Sequence, residues 1–245
     1  MKLTGNTIVI TGGTSGIGRE LAEKLLARGN QVVICGRRTD KLQELTTKHP
    51  RIAARPCDVN DEAQRRAFAQ WVAESHPSTN VLINNAGIQL LTDLTRPMDV
   101  SRLREEVETN VVAPLHFASL FAPVLANKDG AAIVNLSSGL AFSPLALMPV
   151  YCATKAAVHS FTLSMRHQMK GLGISVYEIA PPSVDTELGR ERWSRTGAVS
   201  HGGMPVAAFV DAMLRALESD APETAIGDAQ GMYLKREALF GVMNR

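Results

Sequence analysis

Tyr151 and Lys155 stand four residues apart in the run Tyr151-Cys152-Ala153-Thr154-Lys155-Ala156-Ala157-Val158. That spacing puts both side chains on one face of a helix. A phenol has a reference pKa near ~10 and is a poor acid or base at neutral pH. A neighbouring ammonium favours the phenolate and lowers that pKa. Such a pair can exchange a proton with a bound oxygen, as acid in one direction and base in the other. Tyr-x-x-x-Lys also arises by chance as a surface helix pair, so its surroundings decide its meaning. Ser138 lies thirteen residues upstream, at the end of an apolar run. Its hydroxyl is placed to hold the same oxygen, while neighbouring Ser137 reads as structural.

These side chains need a scaffold that gathers strand ends. Apolar runs recur at Thr7–Thr11, Gln31–Cys35, Ile52–Cys57, Val81–Asn84, Ala131–Leu136 and Ile174–Ala180, with helical patterns between most of them. The first helical pattern carries Ile17, Leu21 and Leu25 on one face and Glu20 with Lys24 as an outward pair; Gly29 follows as a C-cap. Near-continuous apolar strands mark a parallel sheet buried on both faces. Strand–helix alternation along the whole chain predicts the α/β class, a doubly wound parallel sheet. No repeat, low-complexity tract or linker divides the 245 residues, so one domain is expected. Ligands of such sheets bind beyond the C-terminal strand ends, where Ser138 falls.

Between the first strand and first helix lies Thr11-Gly12-Gly13-Thr14-Ser15-Gly16-Ile17-Gly18. Glycines at 12, 16 and 18 permit a tight turn, and the helix N-terminus offers unpaired N–H groups to a pyrophosphate. A strand before, an amphipathic helix after and the N-terminal position make this a dinucleotide-binding Rossmann loop, with Gly12, Thr14, Ser15 and Ile17 as contacts. At the end of the second strand an NAD-binding domain usually has an acidic residue for the ribose 2′-hydroxyl. This chain has Gly36-Arg37-Arg38, with no carboxylate until Asp40. Two guanidiniums suit a 2′-phosphate, hence NADP(H). A solvated arginine pair is a fair competing reading for Arg38 and a weak one for Arg37. Asp58 and Val59 follow the third strand beside the expected adenine position. Asp58 either accepts from the adenine amine or caps the helix that begins near Asp61.

Formal net charge is only +2, from 26 Lys and Arg against 24 Asp and Glu. That balance carries no electrostatic signature of nucleic acid or an anionic membrane. The stretch Ala131–Thr154 has no charged residue, but Asn135, Ser137, Ser138, Gly139, Pro144 and Pro149 interrupt it. A buried strand and loop is expected there rather than a membrane span. Cys35, Cys57 and Cys152 are odd in number and dispersed, which predicts buried free thiols and a reducing, cytoplasmic setting. The short apolar run at the N-terminus does not read as a signal peptide. The six histidines, 49, 76, 116, 159, 167 and 201, form no metal-binding helix pattern, and no metal site is expected.

Taken together, TGGTSGIG at 11–18, NNAG at 84–87, Asn110, Ser138 and YCATK at 151–155 resemble the short-chain dehydrogenase/reductases, in the shorter single-domain branch. The likeness runs through nearly the whole chain, in order and at family spacing. It implies a catalytic tetrad of Asn110, Ser138, Tyr151 and Lys155. Within it, Asn110 helps hold a water linking the lysine to solvent, and Lys155 also holds the nicotinamide ribose. It implies that Asn85 packs by the cofactor, with Asn84 the more structural of the pair. Where the family has Pro-Gly after the sixth strand, this chain has Pro181-Pro182-Ser183-Val184-Asp185-Thr186. The Val184 N–H and the Thr186 hydroxyl remain partners for the carboxamide. The family's usual Asp-Gly-Gly ending is missing. The tail, the opening residues and Cys35-Gly36-Arg37-Arg38 are similar to a bacterial subgroup labelled DltE-like.

The expectation is an NADP-dependent oxidoreductase acting on a small-molecule carbonyl or secondary alcohol, with a non-catalytic NADP-sensing or scaffold protein as the alternative. The segment 187–205, with Arg190, Arg192, Trp193 and Arg195, is a candidate substrate lid. The apolar loop Leu140–Pro149, with Phe142, Leu145, Leu147 and Met148, is a candidate substrate wall. Apolar residues around most of the helix at Ala113–Ala126, with Val158, Phe161, Leu163 and Met165 on the next, predict a homodimer, or a homotetramer.

Overall fold

A computed structural model describes residues 1–189 and 203–244. β1 (Thr7–Thr11) is an unbroken run of buried, mostly β-branched residues. After the glycine-rich turn, α1 (Gly16–Ala27) buries Leu21, Leu25 and Leu26, and Gly29 reverses the chain at φ +82°. There follow β2 (Gln31–Gly36), α2 (Thr39–Lys48) and β3 (Ile52–Pro56). Asp61 caps α3 (Glu62–Ser75) by accepting from the Gln64 N–H at 3.1 Å. β4 (Val81–Asn84) leads to α4 (Val100–Val107), which passes through a π-helical stretch at Glu108–Val112 into α5 (Ala113–Leu125). β5 (Ala132–Leu136) is followed by α6 (Pro149–Gln168), whose proline occupies the first turn, where no N–H is needed. β6 (Ser175–Ala180), α7 (Val206–Glu218), β7 (Glu223–Ala225) and the short helices α8 (Ala229–Lys235) and α9 (Phe240–Met243) complete the described chain.

All seven strands join one parallel sheet in the order β3-β2-β1-β4-β5-β6-β7. The doubly wound α/β expectation therefore holds. Side-chain alternation along β1 divides the core. Ile8 and Ile10 face α1 and α7, with Phe209 and Met213. Val9 faces the opposite layer, with Phe68 of α3 and Phe117 and Phe121 of α5. Each fully buried branched or aromatic side chain contributes about 1.5–3 kcal/mol. The order in which strands are added to the sheet reverses between β1 and β4, so the loops beyond them diverge and open a crevice.

One strand was not expected. β7 has only three residues, all half-buried, and no apolar run. Its register with β6 places it: Glu178 opposite Glu223, Ile179 opposite Thr224, Ala180 opposite Ala225. Of the expected lid 187–205, Glu187–Gly189 form a 3₁₀ turn and Met204 bridges to Val184. Residues 190–202, including the four lid residues Arg190, Arg192, Trp193 and Arg195, lie outside the described residues. No helix among the described residues is long and apolar enough to cross a membrane.

Candidate active site

A cavity of about 820 Å³ occupies the crevice. Gly12, Thr14, Ser15 and Ile17 line it from the glycine-rich turn, Arg37 and Arg38 from the end of β2, and Asp58 and Val59 from the end of β3. Asn85, Val184 and Thr186 lie along it, and Ser138, Tyr151 and Lys155 close the far end. Of the residues expected to catalyse or to hold the cofactor, Asn110 alone does not line it.

The turn has the shape of a pyrophosphate cradle. Gly12 sits at φ +66°, and a Cβ there would stand 3.0 Å from Ala86 Cα. A Cβ on Gly18 would meet the Gly12 carbonyl oxygen at 2.3 Å. Ser15 precedes α1 without a side-chain cap, so the first-turn N–H groups remain available to an anion. Asn85 binds the loop: its Nδ2 donates to the Thr11 and Gly12 carbonyls at 2.9 and 3.2 Å. It therefore supports the cradle as well as lining it. Asn84 is a sheet residue, donating to Asn135 Oδ1 at 2.9 Å.

At the other end of the cradle, a Cβ on Gly36 would stand 2.8 Å from Thr14 Cγ2. No acidic side chain fits at that position. Arg37 lies 3.6 Å from Glu105 and Arg38 2.8 Å from Glu187, all partly exposed. Asp58 is not the helix cap, a place taken by Asp61. It accepts from the Asn60 N–H at 3.0 Å and so closes a local turn. Thr186 lies over the cradle, its Cγ2 3.2 Å from where a Gly16 Cβ would be. The bridge to Met204 uses the Ser183 carbonyl and the Asp185 N–H, which leaves the Val184 N–H outside it.

Ser138, extended at φ −169°, is held by the Leu140 N–H donating to its Oγ at 3.1 Å. The Tyr151 phenol faces the same end of the cavity as Ser138. Lys155 Nζ donates to the Leu136 carbonyl at 2.9 Å and lies 5.7 Å from the centre of the Tyr151 ring. Asn110 sits on the π-helical stretch, where the widened turn directs its side chain inward. Its Oδ1 accepts from the Ile88 N–H at 2.9 Å, while its Nδ2 donates to the Ile88 carbonyl and to Thr154 Oγ1 at 2.8 and 3.1 Å. Thr154 in turn donates to the Tyr151 carbonyl at 2.7 Å.

The charge states differ from the expectation of a lowered phenol pKa. Burial pushes the Tyr151 phenol well up, and the nearby Ser138 hydroxyl opposes the shift. Burial brings Lys155 down to about 8, against the buried carboxylates Glu178 and Glu106. Loss of solvation outweighs the mutual effect of two buried groups that are not hydrogen-bonded to each other.

Thr154 and Glu106 were not found from sequence. Thr154 sits within YCATK and looks like helix filler. Glu106 reads as a solvated helix residue, yet it is buried and accepts from the Leu90 N–H at 2.9 Å, holding the cavity wall. Of the expected apolar wall, Leu140 and Leu145 line the cavity, whereas Phe142 and Met148 are packed beneath it and Leu147 is half exposed. Cys152 fastens that wall by accepting from the Leu145 N–H at 3.3 Å. The tail supplies Met232 and Met243 to the same wall.

Known proteins resemble this chain in sequence and fold. The family model described as short chain dehydrogenase matches residues 6–197. The uncharacterised oxidoreductase DltE of Bacillus subtilis (strain 168) is 43% identical over 233 residues, covering 95% of this chain and 92% of that protein. A short chain dehydrogenase from Burkholderia cenocepacia J2315, solved in complex with NADP, superposes with a TM-score of 0.84 at 30% identity, over 96% of this chain and 94% of its own. A short chain dehydrogenase/reductase from Burkholderia phymatum, solved in complex with NAD, gives a TM-score of 0.86 at 22% identity over 100% and 97% of the two chains, a likeness of fold. With the family model matching well over half of the sequence and the DltE likeness nearly all of it, the chain belongs to the short chain dehydrogenase family and is an oxidoreductase of its DltE-like subgroup.

Proposed function

We propose that the protein is an NADP(H)-dependent oxidoreductase that interconverts a small-molecule carbonyl and its secondary alcohol through Asn110, Ser138, Tyr151 and Lys155. The observation that carries this reading is the convergence of Ser138, Tyr151 and Lys155 at one end of the cavity, with Tyr151 and Lys155 on the same helix face. The cradle fits a nicotinamide dinucleotide: its glycines leave room that a Cβ would fill, and α1 offers free N–H groups. Gly12, Thr14, Ser15 and Ile17 would hold the pyrophosphate, Arg37 and Arg38 the 2′-phosphate, and Asp58 and Val59 the adenine side. Asn85, Lys155, Val184 and Thr186 would hold the nicotinamide half. When bound, the cofactor supplies or accepts the hydride at the substrate carbon.

The chain's own residues handle the oxygen. Ser138 and Tyr151 together hold it. In reduction Tyr151 Oη donates its proton to the oxygen as the carbon–oxygen double bond becomes a single bond; in oxidation it takes the proton back. A phenol pushed up by burial stays protonated while waiting, which suits a donor. Lys155 stabilises the phenolate that remains. Asn110 positions the start of α6 through Thr154, and through Ile88 the facing loop. Leu90, Leu140, Leu145, Met232 and Met243 favour a substrate with an apolar body. Cys35, Cys57 and Cys152, all buried free thiols, fit a cytoplasmic setting.

The test is NADPH oxidation with a panel of ketones and aldehydes. Turnover that Tyr151→Phe removes supports the proposal. Tight NADPH binding with no turnover on a broad panel would instead mark a non-catalytic NADP-sensing or scaffold protein.

A further inference from the structure

Away from the cavity, on the sheet face covered by α6, three side chains from three elements converge. We propose that His159, Glu178 and Glu223 form a binding site for a divalent transition cation of the Zn²⁺ type. Glu178 and Glu223 are register partners on adjacent parallel strands, so their side chains project from the same face, and His159 of α6 lies over them. His159 Nδ1 is hydrogen-bonded to Glu178 Oε2 at 2.9 Å, a contact the ion would replace, and stands 4.0 Å from Glu223 Oε1. These distances bracket the roughly 3.3 Å between two ligands of a tetrahedral ion bound at about 2.0 Å. One ligand atom from each residue lies within 4.8 Å of the others.

The electrostatics favour a bound cation. Glu178 is fully buried, yet among the described residues its Oε1 finds no hydrogen-bond donor, and neither does the buried Glu223 Oε1. Two carboxylates directly opposite on neighbouring strands repel each other. A buried carboxylate needs a pairing charge or a metal. Among the described residues the cationic groups nearby give their hydrogen bonds elsewhere, although Lys155 still feels the Glu178 charge. Lys155 donates to the Leu136 carbonyl, and Arg166 to the carbonyls of Val176 and Pro222. Arg236 stacks on Phe142 and Tyr233.

A divalent ion would balance both carboxylates at once. An imidazole nitrogen with two carboxylate oxygens is a donor set suited to Zn²⁺, Co²⁺ or Mn²⁺ rather than to Ca²⁺. The Phe142 ring packs edge-on to His159 at 4.8 Å and fixes the imidazole. His159 and Glu223 keep 18% and 17% of their side-chain surface exposed, which leaves an entry path and a position for a water ligand. Bound there, the ion would tie the edge strand β7 to β6 and to the helix carrying Tyr151 and Lys155. This proposal does not depend on the reaction assigned above.

The experiment uses the full chain stripped by a chelator, then titrated with Zn²⁺ or Co²⁺ and followed by calorimetry, Co²⁺ absorption and thermal unfolding. The expected result is one ion per chain, with a rise of several degrees in Tm that the chelator reverses. Glu223→Gln should raise the Tm of the metal-free protein, by removing one of two repelling charges, and abolish the metal-dependent rise. His159→Ala should weaken binding at least tenfold. No saturable binding to the wild type would overturn the site. Binding unchanged in both variants would do so too, by showing an adventitious ion elsewhere on the surface.

Discussion

The ammonium of Lys155 gives its hydrogen bond to the carbonyl of Leu136 at 2.9 Å, and stands 5.7 Å from the centre of the Tyr151 ring rather than on the phenol oxygen. The two groups are both buried at the end of the cavity without being bonded, so burial shifts each of them separately. That relationship separates the consequences of removing them.

Removing the Tyr151 hydroxyl should abolish chemistry and little else. Tyr151→Phe keeps the ring packing and deletes the proton donor. A loss of about 10²-fold or more in kcat is expected, with NADPH affinity within a factor of about three of wild type. Steady-state kinetics with fluorescence titration of NADPH checks both. A variant that keeps more than about a tenth of the rate would exclude Tyr151 as the donor.

Lys155 trades stability for its charge. Its pKa is lowered to about 8 from 10.5, chiefly by burial. Below the folded value the lysine is charged in both states, and its full desolvation penalty weighs on the native one. As pH rises from about 8 toward 10.5 the folded protein gives up a proton that the unfolded chain retains, and the penalty shrinks. Lys155→Met should therefore raise stability at pH 6 by roughly 1–3 kcal/mol and by visibly less at pH 10, while removing activity. Denaturant unfolding at both pH values measures this; a gain that grows with pH would contradict the assignment.

Cofactor choice should follow the arginine pair. Wild type is expected to prefer NADPH over NADH by at least about tenfold in kcat/KM. Arg37, only loosely paired at 3.6 Å, is the freer of the two to meet a 2′-phosphate. Arg37→Asp should reverse or nearly cancel the preference. Arg38 must first leave Glu187, so Arg38→Ala should have the smaller effect. Equal use of both cofactors by the wild type would refute the assignment and turn attention to Asp40.

Gly18 is the tightest position in the cradle. The methyl group of Gly18→Ala would overlap the Gly12 carbonyl at 2.3 Å and Asn85 Nδ2 at 2.5 Å. A stability loss of about 1–3 kcal/mol and a larger loss of NADPH affinity are expected. Unfolding curves and cofactor titration, run side by side, test whether the loop is as rigid as its contacts require.

A homodimer through α5 and α6 is expected in solution. Leu115 and Leu163 stay 40% and 46% exposed on helices whose other faces cover the sheet. Leu115→Asp combined with Leu163→Asp should give monomeric mass in light scattering at micromolar concentration. A monomeric wild type would sink the proposal.

Sequence alone determined what depends on local spacing. The strands from Thr7 to Ala180 announce themselves as apolar runs, because a parallel strand buried on both faces has no polar side. The glycine cradle is legible because its backbone leaves no room for a Cβ at Gly18, and Tyr151 with Lys155 because one helix face sets their distance. Tertiary structure decided whatever depends on strands and helices meeting. β7 exists through its register with β6, although none of its three residues is buried enough to leave an apolar pattern. Glu106 and Glu178 look like solvent-facing acids in sequence, and packing buries both. The pKa values of Tyr151 and Lys155 follow from desolvation, a property of the filled volume around them rather than of their spacing. His159, Glu178 and Glu223 belong to a helix and two strands far apart in the chain, so no motif marks them. Only the folded sheet brings their ligand atoms within 4.8 Å of one another.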